Sequence, residues 1–261
     1  MDLMSLIGAI FGFFAVSILG IMLSGGRLFD FVSLSSLFIT VGGTISGIML
    51  SQPAHRLKEM SKIIAKVFKE EKMDAKETIL TLVSFSEKAR REGLLALEDD
   101  LDELDDVFLR KGIQLVVDGT DPELVRKIME NELGYMEERH NAGKQMFDDL
   151  GTLAPAFGMI GTLIGLIIML QNIEDKSSLG QGMSTALITT YYGAVLANLY
   201  FIPFANKLRD RNEKEVVLRE IMIEGVLAIQ SGDNPRIVKD RLVSFLPPAE
   251  REEISEASEA H

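Results

Sequence analysis

The chain has 261 residues, 47% of them hydrophobic and 25% charged, with a formal net charge of -12. It has no cysteine, which excludes disulfides, Cys–His zinc sites and thiol catalysis, and its three histidines, His55, His140 and His261, lie too far apart for a ligand motif. The acidic balance argues against nucleic acid as a partner, because phosphate binding needs a basic stripe.

Mean hydropathy of +0.17 hides a segregated pattern of four apolar stretches and two strongly charged ones. Leu3 to Leu23 is apolar and uncharged, with Gly8, Gly12 and Gly20. The opening Met1-Asp2 lacks the basic region of a secretory signal, so an uncleaved membrane anchor is expected. Ser24-Gly25-Gly26-Arg27 reads as a turn. Phe31 to Leu50 is the second apolar run, and its Val41–Gly47 stretch of glycines and hydroxyls suits close helix packing. Ser51-Gln52-Pro53 ends it. Lys58, Lys62, Lys66 and Lys69 follow at helical spacing, with Ile63, Ile64 and Val67 on another face. Cationic flanks of this kind mark the cytoplasmic side of a membrane helix.

The block from His55 to Phe147 reads as helical throughout. Glu77 to Arg91 carries Ile79, Leu82, Val83 and Phe85. Gly93 interrupts, and Leu94, Leu97, Leu101, Leu104 and Phe108 resume at helical spacing. The seven carboxylates between Glu98 and Asp106 form a solvated face, which can also be a docking face. Arg90 and Arg91 stand just before Gly93 and Glu98 just after it; such mixed charge engages a complementary partner and sets specificity more than affinity. Asp121-Pro122-Glu123 predicts an N-cap, a first-position proline and a favourable dipole charge. The helix that follows is expected to run nearly unbroken into a third membrane span.

Leu150 to Asn206 holds two further apolar runs around a turn with Glu174, Asp175 and Lys176. Each run exceeds the roughly 20 residues that cross a bilayer core of about 30 Å. Their polar residues are uncharged, including Thr162, Thr189 and Thr190, and Pro155 and Pro203 sit inside them. Small residues and hydroxyls at helical spacing serve close helix packing, or they line an ion path together with freed carbonyls. Basic residues Lys207, Arg209, Arg211 and Lys214 follow. Val216 to Ile229 is amphipathic, Ser231 to Pro235 starts a last short helix to Phe245, and Glu250 to His261 is an acidic tail expected to be disordered.

The expected architecture is therefore all-α: a polytopic membrane protein with four transmembrane helices and a helical cytoplasmic domain, both termini cytoplasmic. The expected division is 1–51 for the first two spans, 52–148 for a cytoplasmic helical domain, 149–206 for the second two spans, and 207–261 for C-terminal helices and tail. No span contains Asp, Glu, Lys, Arg or His. Ion-driven machines normally carry such a group within the membrane. Either this chain conducts nothing, or a partner helix supplies the carboxylate. Oxygen-only lining suits Na⁺ better than a proton relay, because hard cations take oxygen ligands. Nucleophile–base pairs, metal clusters and cofactor loops are missing, so no enzyme and no resident cofactor are expected.

Several strings resemble the MotA/PomA family of flagellar stator proteins over nearly the whole chain. They are Ala89–Glu98 (ARREGLLALE), Lys111–Pro122 (KGIQLVVDGTDP), the LAPAFGMIGTLIGL span, the TTYYGAVLAN run and Gly225–Arg236 (GVLAIQSGDNPR). The resemblance implies a ring of this subunit, five copies, around a single-span MotB/PomB partner that carries the ion-binding Asp, in the bacterial inner membrane and its lipid. Ion passage, of Na⁺ or H⁺, would rotate the ring against the rotor protein FliG. Arg90, Arg91 and Glu98 fall on the family's torque-transmitting charges, and Pro155 and Pro203 on its membrane prolines. Thr162, Thr189 and Thr190 fall on threonines of sodium-type members, which implies transient Na⁺ near Thr162 and Thr190. Ser33 stands where some sodium-type members have an acidic residue. An ExbB/TolQ-type proton-driven ring and a small-molecule membrane transporter are the alternatives; four spans and the ARREG string disfavour the first, and the absence of inverted repeats disfavours the second.

Overall fold

A computed structural model describes residues 2–69, 74–171, 173–174 and 176–251, and among these the chain is all helix and turn. Eight helices follow in order: α1 (Leu3–Leu23), α2 (Leu34–Ser51), α3 (Ala54–Phe68), α4 (Ala75–Glu92), α5 (Val107–Val117), α6 (Pro122–Gln171), α7 (Leu179–Ser231) and α8 (Pro235–Val243). Four are long and apolar enough to cross a membrane: α1 and α2 throughout, and α6 and α7 over part of their length. The helix predicted to enter the third span unbroken is α6, at 50 residues. The acidic tail falls almost wholly outside the described residues.

Two compact units emerge, Met1–Glu71 with His140–Asp210, and Lys72–Arg139 with Arg211–His261. They cut across the four consecutive blocks read from the sequence. Each of the long helices α6 and α7 contributes to both, which a division into successive segments does not capture.

In the first unit, backbones approach closely where glycine stands. Gly43 on α2 leaves room for Phe157 of α6, whose ring atoms lie 2.2–2.7 Å from where a Cβ would be. At one end of the spans, polar contacts tie the helices together. Gln52 Nε2 donates to Asp149 Oδ2 at 2.9 Å, and Lys207 reaches Asp2 and Ser5. Asp2 in turn accepts from the Ser5 N–H and caps α1. Beside them, Ile48, Met146, Phe147, Leu150 and Ala205 form a small apolar core. Three spans contain π-helical turns, at Phe14–Leu19, Phe38–Gly42 and Leu196–Phe201. The last runs into Pro203, whose ring would otherwise collide with the Leu199 carbonyl; a widened turn relieves that contact.

The second unit has its own core of Ile79, Leu82, Leu97, Leu101, Ile113, Val116, Val125, Ile221, Met222, Val226, Ile229, Val238 and Leu242, among others. Each such buried side chain contributes about 1.5–3 kcal/mol, against about 0–1 kcal/mol for a surface ion pair, so apolar packing holds this unit. Capping is as the sequence predicts at α6, where Asp121 Oδ1 accepts from the Glu123 N–H at 3.0 Å with Pro122 first in the helix. Asp74, Asp106 and Asn234 cap α4, α5 and α8 in the same way. One segment departs from the expected α-helix. Leu94–Glu103 winds as a 3₁₀ helix, although Leu97, Leu101 and Leu104 are buried as the spacing requires. Like charges three and four apart, such as Glu98 and Asp102, weaken an α-helix there.

Candidate functional site

The span portions of α6 and α7 form a hairpin whose two backbones touch. A Cβ on Gly158 would stand 2.9 Å from the Thr189 carbonyl oxygen, and one on Gly161 would stand 2.5 Å from Thr189 Cβ. Gly165 and Gly182 meet the same way near the turn, where a Cβ on Gly165 would lie 2.5 Å from the Gly182 oxygen. At the other end a Cβ on Gly193 would lie 2.5 Å from the Ala154 oxygen and 3.1 Å from Pro155 Cα. The small-residue stripes are therefore the hairpin seam. Without side chains to interpose, van der Waals contact and interhelical hydrogen bonds act directly between the helices.

The candidate ion-path residues divide at this seam. Thr189 is fully buried in it, its hydroxyl donating to the Thr185 and Ala186 carbonyls at 3.0 and 2.9 Å. Thr190 is exposed, and its hydroxyl donates to the Ala186 carbonyl at 3.1 Å. Thr162 is half-buried and donates to the Met159 carbonyl at 2.6 Å. A carbonyl can only accept, so each hydroxyl proton points into its own helix and the remaining lone pairs face outward. Thr162 and Thr190 thus present acceptors, which suit a cation. Pro155 is exposed one stripe along, two turns from Thr162, and leaves the Gly151 carbonyl without its helical N–H partner. Pro203 is exposed too, beyond the π-helical turn.

Thr44, within the Val41–Gly47 stretch marked for close packing, belongs to a longer line of buried hydroxyls on α2 that includes Ser36 and Thr40, which were not singled out from the sequence. Ser36, Thr40 and Thr44 recur every four residues and are 0%, 0% and 3% exposed. Thr40 Oγ1 donates to the Thr189 carbonyl at 3.3 Å, joining α2 to the hairpin, and Thr44 Oγ1 donates to the Thr40 carbonyl at 2.6 Å. At the head of this line Ser33 caps α2, and its N–H donates to Tyr192 Oη at 3.2 Å. Ser33 is thus engaged in holding α2 to α7. The four-residue period of Ser36, Thr40 and Thr44 was the available signal; their burial, which separates them from surface hydroxyls, is a tertiary fact.

The charged candidates lie in the other unit, around one turn. Gly93, at φ 91° and ψ 164°, separates α4 from the 3₁₀ segment in a conformation open only to glycine. Lys88 Nζ donates to Asp100 at 2.7 Å across that turn and fixes its two limbs. The hydrogen bond to Asp100 raises the Lys88 pKa above its ordinary 10.5. Arg90, Arg91 and Glu98 are exposed around this clamp, and no ion pair among the described residues engages them. The Lys88–Asp100 bond bridges the turn, and the three charges around it stay exposed.

Residues 100–221 match the model of the MotA/TolQ/ExbB proton channel family. Motility protein A of Treponema phagedenis is 48% identical over 97% of this chain and 97% of that protein. The chain belongs to the MotA/PomA family. Chemotaxis protein PomA of Vibrio alginolyticus is 39% identical over 96% of this chain and 98% of that protein. The flagellar MotAB stator complex from Bacillus subtilis contains a chain of the same fold, with a TM-score of 0.88, 37% identity, and coverage of 96% and 98%. As a MotA/PomA member this chain is a multi-pass membrane protein of the stator type and not an enzyme.

Proposed function

We propose that this MotA/PomA protein is the ring subunit of an ion-driven flagellar stator, with both termini on the cytoplasmic side of the inner membrane. A MotB/PomB-type single-span partner supplies the carboxylate that all four spans lack. Copies of this chain, five by family resemblance, surround that partner. The observation that carries the reading is the outward face of the α6–α7 hairpin. Pro155, Thr162 and Thr190 offer oxygen acceptors and a freed carbonyl on an uncharged apolar wall.

Energetics follow from that wall. A bare carboxylate against it costs several kcal/mol or more, on the order of the effective penalty for a buried ion. A carboxylate neutralised by a cation is far cheaper to place there. Binding and release of the ion therefore alternate the preferred register between partner and ring, and the ring advances by one subunit. Arg90, Arg91 and Glu98 pass the movement to a rotor protein of the FliG type, with partner charges opposite to theirs.

The acceptor geometry favours Na⁺ over H⁺ as the transported ion. Swimming speed measured against external Na⁺ at fixed pH is expected to rise and saturate. A flat response assigns the motor to protons. Loss of swimming on deletion, with envelope transport intact, separates this reading from an ExbB/TolQ-type ring.

A further inference from the structure

Helix α3 is tied to membrane-crossing helices at both ends. It starts at Ala54, just after Gln52, whose amide bonds Asp149 on α6 at 2.9 Å. It finishes at Phe68, whose carbonyl accepts the Asp2 N–H at 2.9 Å, at the very start of α1. The start of α1 and the end of α2 lie on one side of the bilayer, since a short turn joins their other ends. Fifteen residues at about 1.5 Å each give a helix of about 22 Å. A helix of that length anchored at both ends to same-side termini runs along the membrane face.

Its two sides are sharply different. Leu57, Met60, Ile63 and Ile64 pack on the core around Met146, Phe147 and Leu150, and Val67 is fully buried. Gly143 of α6 admits Ile63, whose Cδ1 would lie 3.3 Å from a Cβ placed there. The opposite side carries His55, Lys58, Lys62 and Lys66, all exposed. From Ala54 to Phe68 there are four Lys and Arg residues and a single acid, Glu59, in a chain of net charge -12. The apolar side is occupied by protein, so the helix has no hydrophobic face left to insert into lipid.

We propose that the Lys58–Lys62 face of α3 binds the headgroups of anionic phospholipids in the adjoining leaflet. Basic groups held within a Debye length of an anionic leaflet attract it, and lysine stems reach along the interface while the ammonium stays wet. Attraction of this kind depends on headgroup charge and on salt, and is indifferent to the acyl chain. It rests on the four spans crossing a bilayer and is independent of which ion drives the protein or what rotor it meets.

The test uses the detergent-purified full chain with whatever partner co-purifies, and reads retention of labelled phosphatidylglycerol against phosphatidylcholine. The wild type is expected to prefer phosphatidylglycerol, and to lose the preference at about 1 M salt, where the Debye length is about 3 Å. Lys58→Gln with Lys62→Gln should weaken that preference about fivefold for each charge removed, the ratio for about 1 kcal/mol. Lys127→Gln with Lys214→Gln, on the other unit, should leave it intact. An equal preference in the α3 variant and the wild type overturns the proposal. So does displacement of phosphatidylglycerol by an equimolar soluble glycerol phosphate. Should the α3 variant fail to fold, the wild-type comparison decides alone: no headgroup preference, or one unaffected by salt, rejects the lipid site and leaves a protein segment as the occupant of this face.

Discussion

Thr189 and Thr190 are neighbours in sequence and opposite in circumstance. One closes the hairpin seam and the other faces out of it. The difference makes a residue-scale prediction. A methyl on Gly161 would collide with Thr189 at 2.5 Å, and both are fixed by their helices. Overpacking of this kind costs about 1–3 kcal/mol. Gly161→Ala is expected to lower the thermal stability of the purified protein, and Thr189→Gly in the same chain to recover part of the loss. Strict additivity of the two changes would dismiss the contact as the cause. Composition identified Thr162, Thr189 and Thr190 together as uncharged membrane hydroxyls. It could not separate them, because which side of a glycine-lined helix is covered depends on the neighbour that covers it. The four-residue period of Ser36, Thr40 and Thr44 was legible, but their burial was not, for the same reason.

Among the elements, the turn at Gly93 has the sharpest local requirement. Open space surrounds the missing Cβ, so only the backbone resists substitution. Gly93→Ala is expected to destabilise the α4–3₁₀ junction by about 1–3 kcal/mol, seen as faster amide exchange at the end of α4 with the hairpin unaffected. Unchanged exchange there would show that the junction tolerates another conformation. The Lys88–Asp100 bond across it has a defined pH window. A raised lysine pKa means its contribution is fully present below 10.5 and disappears as pH rises through the higher folded value. The clamp therefore does not weaken through Lys88 at neutral pH. Element existence and caps were well marked in sequence, as at Asp121-Pro122. The 3₁₀ winding of Leu94–Glu103 was not, since Leu97, Leu101 and Leu104 bury equally well from either helix.

At the scale of the whole molecule, charge is partitioned. The spans hold none, and on the proposed reading the exposed charges around Gly93 meet the rotor. Arg90→Glu is expected to reduce torque, measured as stall load of tethered cells, with partial restoration by a charge reversal on the rotor face it meets. Failure of every rotor reversal to restore torque would remove Arg90 from the contact. Membrane levels of the variant protein should match the wild type, because Arg90 makes no internal ion pair among the described residues.

Hydropathy runs, proline and glycine positions and the absence of titratable groups in the spans are local properties, and from them the sequence determined four crossings, an all-helical chain and spans that carry no carboxylate of their own. Tertiary structure decided which hydroxyls are seam and which are surface, and where the two compact units divide. It also tied α3 at both ends to the spans. Those outcomes depend on contacts between residues far apart in the chain, such as Gly161 with Thr189 and Asp2 with Phe68, and periodicity within one segment carries no information about them.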